Sequence, residues 1–117
     1  MTVEPKWTLV CGLQDIVPNT GVCAKVGKTQ VAVFRLVTPN GEEDGVYAID
    51  NFDPRSGANV LSRGLVGDME NEMVVASPVY KNHIVLKTGR CLEDEEWSVK
   101  SHPVRVSEEG VVLVRTG

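Results

Sequence analysis

Two stretches, "NFDPRSG" at 51–57 and "VASPVYKNH" at 75–83, decide how this chain is read. Each sets a proline after a small polar residue, Asp53-Pro54 and Ser77-Pro78, beside a strand-like run, in a chain with 6 prolines. Paired loops of this kind often frame a metal centre. Neither carries a cysteine or histidine where a ligand is needed, so the residue chemistry alone leaves the purpose of the pair open.

Working outward, the flanking sequence has the period of β-structure. "GVCAKVG" (21–27) alternates Val22, Ala24 and Val26 against Cys23 and Lys25, and "TQVAVFRLV" (29–37) follows after Gly27-Lys28, a two-residue hairpin signal. "PNGEEDG" (39–45) is loop chemistry and "VYAID" (46–50) the next strand. "EMVVAS" (72–77) and "HIVLKTG" (83–89) read as strands flanking the second proline loop, and "WSVKSHPVRVSEEGVVLVRTG" closes the chain as two strands around Glu108-Glu109-Gly110. Only "GLQDIV" (12–17) and "GANVLSRG" (57–64) suit helical turns, both too short to stand without tertiary support. The expected fold is an all-β antiparallel sandwich or small barrel, a single domain over 1–117, with an irregular, loop-rich sub-lobe at about 51–95.

Bulk properties narrow the partners. The 117 residues are 42% apolar and 24% charged, ordinary usage for a domain with its own core. A formal charge of −4, with Lys and Arg scattered singly, argues against nucleic acid and against anionic membrane surfaces. "MTVEPKWTLV" has no basic region followed by an apolar one, and no run nears the roughly 18 apolar residues of a membrane span. A cytoplasmic location is the expectation. Cys11, Cys23 and Cys91 form no CxxC pair and are odd in number, which favours reduced, part-buried thiols over disulfides.

No motif names a catalytic group. There is no GxSxG elbow, P-loop or GxGxxG. His83 and His102 have no second His, Cys or carboxylate at ligand spacing, and each reads as a turn or strand-edge residue. "EDEE" at 93–96, beside Trp97, reads first as a solvated loop and second as a patch for a partner, because an aromatic beside charge suits an interface.

The two loops and the run "KTGRCLEDEEWSVKSHPVRV" resemble the Rieske family across nearly the whole chain. A Rieske [2Fe–2S] centre has two Cys on one iron and two His on the other. In that family each loop supplies one of each, with Pro beside the first ligand. The resemblance carries the ligand positions onto Asp53 and Arg55 in the first loop and Ser77 and Tyr80 in the second, all four unsuited to the cluster. The prolines of the scaffold, Pro54 and Pro78, remain. The interval of 21 residues from Ser56 to Ala76 exceeds the usual Rieske spacing.

A Rieske-like domain without its ligands is similar to the small subunits of assimilatory NAD(P)H-nitrite reductases, and "W-T-x-V" near the start fits the same group. The resemblance implies a non-catalytic subunit of a cytoplasmic enzyme reducing nitrite to ammonium in nitrate assimilation. No cofactor is expected in this chain. FAD, a [4Fe–4S] cluster and sirohaem are expected in the large subunit, which is the implied partner. Asp53 is expected to tie the loop tips by bonding Arg55 or Tyr80. Docking is expected at Asp53, Arg55 and Tyr80, as in functional Rieske domains, or at the acidic loop with Glu95 and Trp97. Two other readings stay open: an electron-transfer ferredoxin with a non-standard centre, and a stand-alone enzyme with a polar site in the loop cleft.

Overall fold

The computed structural model describes residues 6–115; positions 1–5, half of the stretch read for a leader, and 116–117 lie outside the described residues. Twelve strands are assembled in antiparallel pairs: β1 Thr8–Gly12, β2 Thr20–Val26, β3 Thr29–Val37, β4 Glu43–Asp50, β5 Phe52–Asp53, β6 Ala58–Asn59, β7 Leu65–Met69, β8 Glu72–Ala76, β9 His83–Val85, β10 Ser101–His102, β11 Val104–Val106 and β12 Val111–Val114. The expected helical turns are single 3-10 turns, Leu13–Asp15 and Leu61–Arg63, and a third spans Glu95–Trp97.

The sheet β10-β4-β3-β2 is the centre of the molecule. Its β2–β3 hairpin turns at Gly27-Lys28, where Gly27 holds φ +62°, a value a side chain resists. Strand β3 is buried on both faces, so its alternating side chains supply two cores. Val31 and Val33 join Ile16, Val26, Ala48, Val112 and Val114 against the sheet β1-β12-β11. Ala32, Phe34 and Leu36 join Ile49, Leu61, Val75, Ile84, Leu86 and Cys91 on the opposite side. The expected sandwich is therefore present, with the third sheet, β7-β8-β9, layered onto the back of its central wall. The sub-lobe expected at 51–95 is this layer with its loops.

Strand β4 begins at Glu43, inside the stretch read as loop. The reason is Arg35 on β3, whose guanidinium donates to both Glu43 carboxylate oxygens at 2.9 and 2.7 Å and to the Ile16 carbonyl at 2.9 Å. That pairing carries the ladder past Gly45, at φ +124°, with a register shift at Leu36/Val37. Strand β1, which no periodic pattern announced, is held by β12. No helix among the described residues is long and apolar enough to cross a membrane.

Candidate functional site

The two proline loops meet at one end of the molecule. Strands β5 and β6 close the first loop into a tight hairpin, with the Gly57 N–H donating to the Asp53 carbonyl at 2.8 Å. The second loop closes on itself: the Ser77 N–H donates to the Asn82 carbonyl at 2.9 Å and the Lys81 N–H to the Ser77 carbonyl at 3.0 Å. Lys81 holds φ +60°, a left-handed conformation that costs a non-glycine residue about 1 kcal/mol.

Asp53 joins the loops. Its side chain is fully buried and both oxygens are saturated. Oδ1 accepts from the Arg55 N–H at 3.1 Å and from Asn82 Nδ2 at 3.0 Å. Oδ2 accepts from Ser56 Oγ at 2.9 Å and Ser77 Oγ at 2.6 Å. Burial pushes the Asp53 carboxyl pKa up, but hydrogen bonds from Ser77, Asn82, Ser56 and the Arg55 N–H outweigh it and hold the group below its ordinary value. The carboxylate thus stays charged where an isolated buried acid would take up a proton.

Arg55 and Tyr80 face the other way. The Arg55 guanidinium lies between two rings, its Cζ 4.4 Å from the Trp97 centroid and 5.0 Å from that of Tyr80, and Nη1 donates to the Tyr80 carbonyl at 3.4 Å. Trp97 is half-buried against the Phe34–Leu61 core, whereas Tyr80 is 56% exposed and Val79 beside it 48%. The turn Glu95–Trp97 that presents the indole is capped by Asp94, whose Oδ1 accepts from the Glu96 N–H at 2.9 Å. Glu95 is exposed on the same turn. The loop tips and the acidic loop, expected as alternative docking faces, are brought together through the Arg55 stack.

Three expectations need correction. Asp53 does not bond the side chain of Arg55 or Tyr80; the short side chains of Ser56, Ser77 and Asn82 fit beneath the loops, while the longer ones reach past them to solvent. Asp53 is also removed from the docking surface, because none of its side chain is accessible. The histidines do have carboxylate partners, supplied across the fold: His83 Nδ1 lies 2.8 Å from Glu93 Oε2, and His102 Nε2 lies 2.7 Å from Asp50 Oδ1. Separations of 10 and 52 residues hid both pairs from any spacing rule. All three cysteines are free thiols, with Cys91 buried, Cys11 intermediate and Cys23 exposed. Burial is the main cause that raises the pKa of Cys11 and Cys91, which favours the protonated thiol over the thiolate in both.

The donor set at the loop end does not fit a Rieske cluster. Asp53 has no lone pair to spare, Ser77 spends its proton on Asp53, Arg55 has no lone pair at all, and Tyr80 points outward. Comparison with known proteins agrees on the scaffold. The Rieske-like [2Fe-2S] domain family matches residues 6–115. The nitrite reductase (NADH) small subunit of Salmonella typhimurium is 46% identical over 110 residues, covering 94% of this chain and 97% of that one. In Klebsiella oxytoca a nitrite reductase [NAD(P)H] large subunit is 44% identical over 108 residues, 92% of this chain but 11% of that protein. The solution structure of Escherichia coli NirD superposes with a TM-score of 0.86 at 45% identity, covering 97% of this chain and 99% of that one. The chain accordingly belongs to the Rieske-like [2Fe–2S] domain family and, within it, to the nitrite reductase small subunits.

Proposed function

We propose that this chain is the non-catalytic small subunit of a cytoplasmic NAD(P)H-dependent nitrite reductase, serving reduction of nitrite to ammonium in nitrate assimilation. It acts by binding and stabilising a large subunit that carries the FAD, [4Fe–4S] and sirohaem centres, and it contributes no redox centre itself. The observation that carries this reading is the Klebsiella relative, in which a segment like this chain occupies 11% of a protein described as the large subunit. A domain that is covalently part of the large subunit in one organism is well suited to bind it as a separate chain in another.

The docking surface in this reading is the rim formed by Arg55, Tyr80 and Trp97, with Glu95 at its edge. Arg, Tyr and Trp are the residue types that dominate interface energetics, and the stack holds them in place before contact, which lowers the entropy lost on binding. Asp53 supports the rim from below by fixing both loops.

Co-expression with the large subunit followed by affinity capture and size-exclusion chromatography tests the proposal. A stoichiometric complex is expected, together with at least a tenfold loss of affinity, about 1.4 kcal/mol, for Arg55→Glu or Trp97→Ala. Failure of the wild-type chain to co-purify with the large subunit sinks the subunit reading. Unchanged binding of Arg55→Glu sinks only the location of the surface. Iron and sulfide in stoichiometric amounts in the purified chain, with the accompanying visible absorption, would instead favour the ferredoxin reading.

A further inference from the structure

A second polar feature lies away from the loop rim. Below the first loop, Lys28, Thr29 and Gln30 from the β2–β3 turn, Asp50 and Phe52 from the end of β4 and from β5, Asn59 from β6, and Lys100 and His102 from the C-terminal segment line a cleft of about 460 Å³. Its charge runs against that of the chain, which carries −4 overall. Two lysines line it, and neither has an ion-pair partner among the described residues. The one carboxylate, Asp50, is already engaged on both oxygens: Oδ1 accepts from His102 Nε2 at 2.7 Å, and Oδ2 from the Lys100 N–H at 3.3 Å.

The neutral groups are biased the same way. Gln30 Oε1 is taken up by Asn51 Nδ2 at 3.4 Å and Cys23 Sγ at 3.6 Å, so the group that Gln30 has left to offer is its NH₂ donor. The cleft thus presents ammonium and amide donors to a ligand that must bring the acceptors. Phe52 adds a flat apolar wall: it is 45% exposed although its β5 neighbour Asp53 is fully buried, because side chains alternate across the strand.

Size decides which anion fits. A triatomic anion such as nitrite fills only a small part of about 460 Å³ and has no use for an aromatic wall. A phosphate group suits paired ammonium donors, and a planar heterocycle suits the face of Phe52. We propose that this cleft binds a nucleoside phosphate, with the phosphates held between Lys28 and Lys100 and the base against Phe52. The site is separate from the Asp53 loop clasp and does not depend on the large-subunit reading.

Titration of the full-length, isotope-labelled chain by NMR tests it, with ADP, adenosine and inorganic phosphate as separate probes. ADP is expected to bind with a Kd at or below about 1 mM and to shift the amides of Lys28, Asn59 and Lys100, while adenosine and phosphate each bind at least about tenfold more weakly. The double variant Lys28→Ala/Lys100→Ala is expected to lose at least about tenfold in ADP affinity, and Phe52→Ala about threefold. Both lysines are on the surface, and unchanged spectra elsewhere confirm that the variant folds. No saturable shift with ADP up to about 10 mM overturns the proposal. So does phosphate that binds as tightly as ADP, or a lysine double variant that binds ADP unchanged.

Discussion

Asp53 and Ser77 lie fully buried in the loop end, whereas Arg55 and Tyr80, two and three residues further along the same loops, are open to solvent. In a Rieske centre the four corresponding positions converge on one inorganic core. Here they have separated into an internal pair that ties the loops and an external pair that stacks with Trp97. The difference is one of dielectric surroundings. A buried carboxylate is tolerated only with every acceptor site filled, so the internal pair is fixed by its neighbours. An exposed guanidinium between two rings gains little stability and leaves that surface free for recognition.

The contrast is testable from its strong side downward. Asp53→Ala strands the donors of Ser56, Ser77, Asn82 and the Arg55 backbone, and is expected to cost about 3 kcal/mol in urea unfolding. A loss below about 1 kcal/mol would put the interior on a par with the rim and dissolve the distinction. The second test is acid titration. Because Asp53 has a lowered pKa in the folded state, its contribution is complete above the ordinary value of 3.8 and is lost as the pH falls below that value and through the folded one. The urea midpoint of the wild type is expected to fall over this range more steeply than that of Asp53→Asn; parallel curves would show that some other carboxylate sets the acid limb. The smallest effect belongs to Arg55→Ala, expected to change stability by less than about 1 kcal/mol. A larger loss would make the stack part of the fold's support.

Much of the framework was legible in the sequence because it obeys local rules. The alternation of Val22, Ala24 and Val26 with Cys23 and Lys25, and the Gly27-Lys28 turn, are properties of neighbouring residues, and the structure follows them closely. The loop pair was legible through its prolines and through resemblance. What escaped was set by distance along the chain. Asn82 reaches Asp53 from 29 residues away, His102 reaches Asp50 from 52, and nothing in the local pattern of either residue records the meeting. The early start of β4 escaped for a related reason, since Gly45 and the acidic residues around it imitate a loop until Arg35 supplies the opposite charge.

Strand β3 has a consequence for how the molecule comes apart. Val31 and Val33 belong to one core and Ala32, Phe34 and Leu36 to the other, so this one strand is a wall of both. Peeling away the layer that carries the second proline loop would bare Phe34 and Leu36 to water, at about 1.5–3 kcal/mol for each side chain. Paired by β2 on one edge and β4 on the other, the β3 amides are expected to exchange with solvent hydrogen only through global unfolding. The rim is mounted on that wall, because Trp97 packs against the same core as Phe34 and Leu36.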